Sequence, residues 1–170
     1  GFKILPSSFN WDYSMDGGGK LKDNIAYRGS TNSDGGHILA GADGYYTITL
    51  NTANNTATMV KYEGNVTNYG TIQIAGSFNE WADTPMLPYN TEGVENHAWY
   101  YVMEVPAGET AQFKFKIAGS WDTSWGYGKA DGDINMFGKC EAGGKNLGLA
   151  EGKYVISFND ITGAFSIVKL

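Results

Sequence analysis

The sequence is poor in several residue types that mark particular classes of protein. It has one cysteine and two histidines in 170 residues, so a disulfide within the chain is excluded. Charged residues make up 18%, below the roughly one quarter of an average protein. No apolar run reaches the ~18 residues that a membrane-spanning helix needs, and no stretch keeps a helical period beyond two turns. A disulfide scaffold, a transmembrane helix and a mainly helical fold are therefore not expected.

Positive charge is also scarce. Lys and Arg number 12 against 18 Asp and Glu, so the net charge is −6 and the isoelectric point is near 4.8. A basic stripe that could replace phosphate counterions is missing, which argues against nucleic acid as a partner. The same balance argues against binding to anionic lipid surfaces.

Glycine, aromatic residues and alternating patterns are abundant instead. Glycine accounts for 24 residues, and aromatic residues for 14% of the chain. Alternating runs at 45–50 and 56–62 flank an Asn-rich turn, and a second pair at 153–158 and 164–169 has the same form. Such pairs predict β-hairpins, and short strands between turn residues predict a sandwich. We therefore expect an all-β protein of immunoglobulin-like antiparallel β-sandwich modules in tandem.

An internal repeat sets the expected domain boundaries. Similar short stretches recur in the same order at offsets that fall from 113 to 108 residues. We interpret residues 1–63 as the C-terminal part of a first β-sandwich module and residues 68–170 as one complete module. A partial sandwich would expose an apolar face and strand edges, so we expect upstream residues or another chain to cover it.

Catalytic and metal-binding patterns are weak. Neither histidine lies in a recognisable motif, and Cys140 has no Cys or His nearby in sequence, so an inert thiol is expected. The Asp pairs Asp12/Asp16 and Asp131/Asp133 lack the spaced oxygen ligands of a calcium loop. We expect no enzymatic activity, no metal and no cofactor.

The aromatic residues carry the functional signal. Trp121, Trp125 and Tyr127 lie within eight residues of a Gly- and Asp-containing stretch, which predicts a loop. Exposed rings offer flat apolar platforms to the C–H faces of sugars and lose little rotamer entropy. Trp11 and Tyr13 repeat the theme in the first module. The alternative is that one of the three rings of 121–127 plugs the end of the sandwich.

Lysine placement adds hydrogen-bond donors to this interpretation. In the alternating run 113–117, Lys114 and Lys116 leave one face of the strand and the two Phe side chains leave the other. Lysines on a solvent-facing strand serve solubility, but beside a Trp loop Lys114 could donate to sugar hydroxyls. In the first module Arg28 is the alternative donor.

Five stretches of the second module form an ordered set of motifs. They are GSFNEW at 76–81, PMLP at 85–88, the strand and turn at 99–109, FKF at 113–115 and GSW at 119–121. In order and spacing they resemble the glycogen-binding module of the AMP-activated kinase β-subunit and its starch-binding relatives. The resemblance implies that Trp81, Lys114 and Trp121 bind α-glucan, with Asn135 or Asn146 as candidates for a third contact.

The remainder of the chain resembles a second, related family. The Gly-rich stretch 125–144 and the strand 152–158, with their copy in residues 11–60, are similar to the tandem modules of SusE- and SusF-type outer-membrane lipoproteins. Those proteins belong to polysaccharide-utilisation systems of gut Bacteroidota, hold starch at the cell surface and do not hydrolyse it. The resemblance implies a lipid anchor through a segment outside this sequence, and other outer-membrane proteins of the same uptake system as partners.

Together these observations predict non-catalytic glycan binding, with starch or another α-glucan as the first expectation and a different glycan left open. The expected platform joins Trp121 to Trp125 or Tyr127, with Lys114 as donor and Trp81 as a family-implied contact. A second site would use Trp11, Tyr13 and Arg28. The alternative is a spacer or protein-docking module, with Trp125 and Tyr127 packed inward. An enzyme would need a deep cleft with two carboxylates.

Overall fold

The computed structural model describes residues 19–20, 25–28, 38–39, 44–51, 53, 56–89 and 95–170. The chain divides into two compact units, Gly1–Gly64 and Asn65–Leu170. All of the described secondary structure is β-strand except one short 3-10 turn, Ser77–Asn79. No helix in these ranges is long and apolar enough to cross a membrane.

The first unit contains five described strands in two small sheets. Strands β1 and β3 pair in parallel, and the other three form an antiparallel sheet in the order β2-β5-β4. The predicted hairpin is the pair β4–β5. The strands are β1 (Gly19–Lys20), β2 (Ile25–Arg28), β3 (Ile38–Leu39), β4 (Tyr46–Asn51) and β5 (Thr56–Lys61).

The second unit is built around two long strands, β9 and β14, which pair antiparallel along most of their length. The main path runs β12-β15-β14-β9-β10-β13, with β6 and β8 on β9, β7 on β6, and β11 on β14. The strands are β6 (Ile72–Gly76), β7 (Thr84–Pro85), β8 (Leu87–Pro88), β9 (Ala98–Ile117), β10 (Ser124–Gly126), β11 (Asp133–Ile134), β12 (Phe137–Lys139), β13 (Glu141–Ala142), β14 (Leu147–Asn159) and β15 (Ala164–Lys169).

The hydrophobic core lies between two layers that share β9 and β14. The first half of β9 pairs with β8 and β14, and the second half pairs with β6, β10 and the start of β14, with a register shift between Ala150 and Gly152. Phe115, from the second half of β9, stacks on Phe158 at a centroid distance of 4.2 Å. This arrangement confirms the predicted all-β class and its antiparallel sandwich.

Alternation along β9 decides which side chains face the core. Phe113 and Phe115 are completely buried there, as the sequence pattern predicts. Lys114 and Lys116 occupy the intervening positions and leave the opposite face of the strand. The functional surface described below begins on that face.

The internal repeat is visible in strand pairing. Tyr46 faces Lys61 in β4–β5, and Tyr154 faces Lys169 in β14–β15, each residue 108 positions further along the chain. The third strand also recurs, because β2 pairs with β5 as β12 pairs with β15. A parallel pair accompanies each hairpin, β1–β3 in the first unit and β11–β14 in the second. Both units therefore contain a hairpin with a third antiparallel strand and a parallel pair, although the parallel pair of the first unit forms a separate sheet.

Candidate functional site

Two exposed tryptophans meet beside the second half of β9. Trp81 follows β6, and Trp121 lies in the turn between β9 and β10. Their ring centroids are 6.0 Å apart and their planes are inclined at 58°. Trp81 is 37% exposed and Trp121 is 45% exposed, so both rings are accessible to a ligand. The two tryptophans that the glycogen-binding resemblance picked out, 40 residues apart in sequence, are thus brought together.

Asn79 organises the loop that carries Trp81. Its side-chain oxygen accepts a hydrogen bond from the Gly76 backbone N–H at 2.8 Å. Its side-chain amide donates to the Ala82 carbonyl and to Thr84 Oγ1, both at 2.8 Å. One side chain therefore satisfies several backbone and hydroxyl groups of the loop and fixes its path.

The same loop contains unusual backbone angles at Glu80 and Trp81. Their φ values are +55° and +62°, in the left-handed region that bulky side chains rarely adopt. The Trp81 N–H donates to the Gly76 carbonyl at 2.8 Å, which helps to hold this conformation. Strained residues of this kind cluster at functional sites, where the surrounding structure holds them.

A tight turn presents Trp121. The Ile117 N–H donates to the Thr123 carbonyl at 3.1 Å and closes the turn at the end of β9. Gly119 within it has a φ of +70°, which a residue without Cβ adopts at low cost. Trp121 lies near the tip of this turn, where its ring reaches Trp81.

Lys116 and Asp83 lie beneath the tryptophan pair. The Lys116 Nζ lies 4.9 Å from the Trp121 ring centroid and forms an ion pair with Asp83 Oδ1. The other oxygen, Asp83 Oδ2, accepts a hydrogen bond from the Gly119 N–H at 2.6 Å. That backbone donor, followed by Lys116, lowers the pKa of Asp83 below its ordinary value. Lys116 itself is 2% exposed and fully engaged.

Lys114 occupies a different environment on the same strand face. It is half-buried and has no hydrogen-bond or ion-pair partner among the residues that the structure describes. Two positions before it, Gln112 Oε1 accepts a hydrogen bond from Asn146 Nδ2 at 3.1 Å. Asn146 is one of the two candidates for a third sugar contact. It thus contacts Gln112, the neighbour of Lys114 on that strand face. Asn135 is half-buried between β11 and β12.

The structure corrects the expected placement of Trp125 and Tyr127. Trp125 lies in β10 opposite Phe115, on the core side, and its ring is 5.4 Å from that of Phe158. Tyr127 packs on Phe165 at 5.1 Å. Both rings pack against the hydrophobic core, so neither joins Trp121 in an exposed platform. The reason is that residues 124–126 form a strand whose register sets Trp125 opposite the buried Phe115, and directly opposed residues share one face of a sheet.

The possible second site falls largely outside the described residues. Trp11 and Tyr13 belong to the undescribed residues, and Arg28 is the last residue of β2, of which only the backbone is described. That site therefore stays a prediction.

Sequence reasoning missed Asp83 and Lys116, the ion pair beneath the two exposed tryptophans. The alternation placed Lys116 on the correct face, but nothing marked it as the lysine beneath Trp121. Asp83 had no signal, because its partners lie 33 and 36 residues away.

The remaining candidate groups are structural within the described part of the chain. Burial raises the pKa of the Cys140 thiol to about 12, which keeps it protonated and unreactive at neutral pH. His97 is buried, with Nδ1 2.7 Å from Asp160 Oδ1, and Trp99 Nε1 donates to the other oxygen at 3.0 Å. Among the described residues no group of three or more His, Cys, Asp or Glu could hold a metal ion.

Comparisons with known proteins identify a similar fold. No protein-family model matches the sequence. No curated protein matches it either. Among solved structures, the chain is similar to the crystal structure of SusF from Bacteroides thetaiotaomicron, with a TM-score of 0.50 and 15% sequence identity. The match covers 85% of this chain but 33% of the SusF chain, so this chain spans about a third of that protein. At this identity the likeness concerns the fold.

Proposed function

We propose that the second unit is a non-catalytic glycan-binding module and that its ligand is starch or a related α-glucan. The observation that carries this proposal is the exposed Trp81–Trp121 pair on a fixed pair of loops. The SusF-like fold and the sequence resemblance to starch-binding modules point to the same class of ligand.

The geometry of the pair suits a curved sugar chain. Large exposed indoles present apolar faces whose removal from water is favourable, and sugar C–H groups provide a matching surface. The two ring planes are inclined at 58°, so the pair does not form a flat surface. An α-glucan winds helically, so neighbouring sugar units present faces at different angles, which a tilted pair can follow. Because the rings are already held in place, binding orders few additional side chains.

Lys114 is the proposed hydroxyl donor of the site. Lys116 is committed to Asp83, whereas the Lys114 ammonium has no such partner among the described residues. It projects from the same strand face, two positions and thus roughly 7 Å further along β9. Asn146 lies next on that face and is proposed as the third polar contact. Together they would extend the apolar pair into a polar strip along which a sugar chain lies.

The cellular setting follows from the resemblance to SusE- and SusF-type proteins. We propose that the protein acts at the outer membrane, exposed at the cell surface and lipid-anchored through a segment outside this sequence, beside other proteins of the same uptake system. The first unit is proposed to carry a second site at Trp11, Tyr13 and Arg28. Single shallow sites bind weakly, with Kd on the order of 10 µM to 1 mM, and two sites on one polymer would gain through effective concentration.

A spacer or docking module is the second candidate. The inward packing of Trp125 and Tyr127 is the feature that this alternative predicts. The exposed Trp81–Trp121 pair favours a binding surface over an inert spacer, because two indoles are held exposed to solvent and one of them lies in a strained loop.

Titration calorimetry with a maltooligosaccharide tests the proposal. Trp121→Ala and Trp81→Ala are each expected to weaken binding about tenfold or more, which is about 1.4 kcal/mol per tenfold, because each removes one stacking ring. Lys114→Ala is expected to weaken binding less. Lys139→Ala, an exposed lysine of β12, is the matched control and should bind as the wild type does.

Two results would contradict the site. One is wild-type affinity in Trp121→Ala. The other is loss of binding that appears only together with a collapsed melting transition, which would make Trp121 a structural residue.

A further inference from the structure

Asp83 joins the two loops that carry the exposed tryptophans. It lies two positions after Trp81, and its Oδ2 accepts a hydrogen bond from Gly119, which lies two positions before Trp121. Its Oδ1 pairs with the Lys116 ammonium, which lies over the Trp121 ring. Both oxygens of the Asp83 carboxylate therefore contact the end of β9 and the turn after it, which carries Trp121.

The Asp83–Lys116 pair also compensates the burial of a charge. Lys116 is 2% exposed, and an ammonium removed from water is unfavourable unless a counter-charge accompanies it. If Asp83 were removed, an unpaired cation would remain directly beneath Trp121. We expect Lys116 then to move toward water and to displace the ring.

The loop on the other side is held under backbone strain. Glu80 and Trp81 both have positive φ values, and Ala82 alone separates them from Asp83. Such a conformation persists only when the surrounding contacts determine it. The link from Asp83 to Gly119 and Lys116 ties the end of this loop to β9 and its turn, and so limits how far Trp81 can relax away from Trp121.

We propose that Asp83 is a positioning residue that sets the distance and angle between Trp81 and Trp121, and that through this angle it determines which sugar-chain curvature the site accepts. This inference rests on the proposed glycan binding and deepens it. A tilted, clamped pair selects a curved α-glucan over a straight β-linked chain. A released pair loses affinity and this preference together.

Three variants of the full chain separate the contributions of Asp83. Asp83→Ala removes both interactions. Asp83→Asn keeps an oxygen for Gly119 but leaves Lys116 without its counter-charge. The double variant Asp83→Asn with Lys116→Met removes both charges and keeps the oxygen. Asp122→Asn is the matched control, because it removes the same charge from an exposed residue beside Trp121.

Two measurements are made on each variant. The first is the exciton couplet that two neighbouring indoles produce in far-ultraviolet circular dichroism, recorded without ligand. The second is the ratio of Kd values for a maltooligosaccharide and a cellooligosaccharide of equal length. The melting temperature is recorded alongside.

If Asp83 positions the two rings, the variants should give a graded result. Asp83→Ala should lose most of the couplet and bind the maltooligosaccharide about tenfold more weakly, and Asp83→Asn about fivefold more weakly, with a reduced preference over the β-linked sugar. The double variant should recover most of both signals, and it decides the matter if Asp83→Ala fails to fold. The control should match the wild type.

Other outcomes overturn the inference. An unchanged couplet in Asp83→Ala, with or without loss of affinity, would show that Asp83 does not position the rings. A double variant that folds but does not recover the couplet would overturn the role of charge compensation. If the wild type binds neither sugar, the proposed function fails, while the couplet still tests whether Asp83 positions the two rings.

Discussion

At the scale of single residues, the aromatic side chains of 121–127 divide into two kinds. Trp121 lies in a turn and is 45% exposed, whereas Trp125 and Tyr127 pack on Phe158 and Phe165. Composition alone cannot distinguish them, because all three are rings among glycines. The distinction comes from a strand of three residues, Ser124–Gly126, whose pairing with β9 sets Trp125 opposite the buried Phe115.

This division predicts that two tryptophan substitutions lower the free energy of unfolding by very different amounts. Trp125→Ala removes a ring packed on the core and should lower the free energy of unfolding by about 3 kcal/mol, the low end for truncation of a core tryptophan. Trp121→Ala removes an exposed ring and should change it by less than about 1 kcal/mol. Urea unfolding of both variants, followed by circular dichroism, measures the difference. Equal effects would contradict the assignment of one ring to the core and one to the surface.

At the scale of elements, the two hairpins share more than their sequence pattern. The backbone hydrogen bond from Leu170 to Lys153 in the second hairpin, at 2.8 Å, has its counterpart 108 residues earlier, between Tyr62 and Tyr45, at the same length. A glycine precedes each hairpin. Gly152, with a φ of +141°, corresponds to Gly44, with a φ of +143°. The recurrence of a rare backbone angle supports a true structural repeat over a chance similarity of two hairpins.

Gly152 is therefore expected to be sensitive to substitution. An added Cβ would lie 2.6 Å from Cε of Lys169, whose ammonium donates to the Glu151 carbonyl. Gly152→Ala should destabilise the second unit by about 1–3 kcal/mol, chiefly because a φ of +141° strains a residue with a Cβ, while the flexible end of Lys169 can move aside. Gly70→Ala is the matched control, with a positive φ but open space around the added Cβ, and should cost less.

Urea midpoints of these two variants measure their relative stability. A Gly70→Ala variant less stable than Gly152→Ala would contradict the greater backbone strain assigned to position 152.

How much the sequence could predict depended on how local each feature is. Strand alternation predicted both hairpins and the two faces of β9, because side-chain direction along a strand depends only on position. The approach of Trp81 to Trp121 was anticipated only through the family resemblance. The Asp83 link to Gly119 spans 36 residues and depends on how two loops approach each other, which periodicity and composition do not contain.

At the scale of the whole molecule, the two units have similar hairpins, β4–β5 and β14–β15, but the side chains of these hairpins differ in burial. Ile156 of β14 is completely buried, whereas Ile48, its counterpart in β4, is 45% exposed. Within the described residues, the second unit has the closed hydrophobic core and the exposed tryptophan pair. The account of function therefore depends on the second unit, and binding by the first unit remains a prediction.

The most direct test of that account is affinity electrophoresis of the full chain in native gels that contain a single polysaccharide each. Glycan binding by a curved tryptophan pair predicts retardation in amylopectin and glycogen, and free migration in dextran, xylan and mannan. Retardation by one of the other polymers would contradict the assignment to starch-type α-1,4-glucans while keeping a glycan-binding module. Free migration in every gel would contradict glycan binding itself and favour a spacer or docking module.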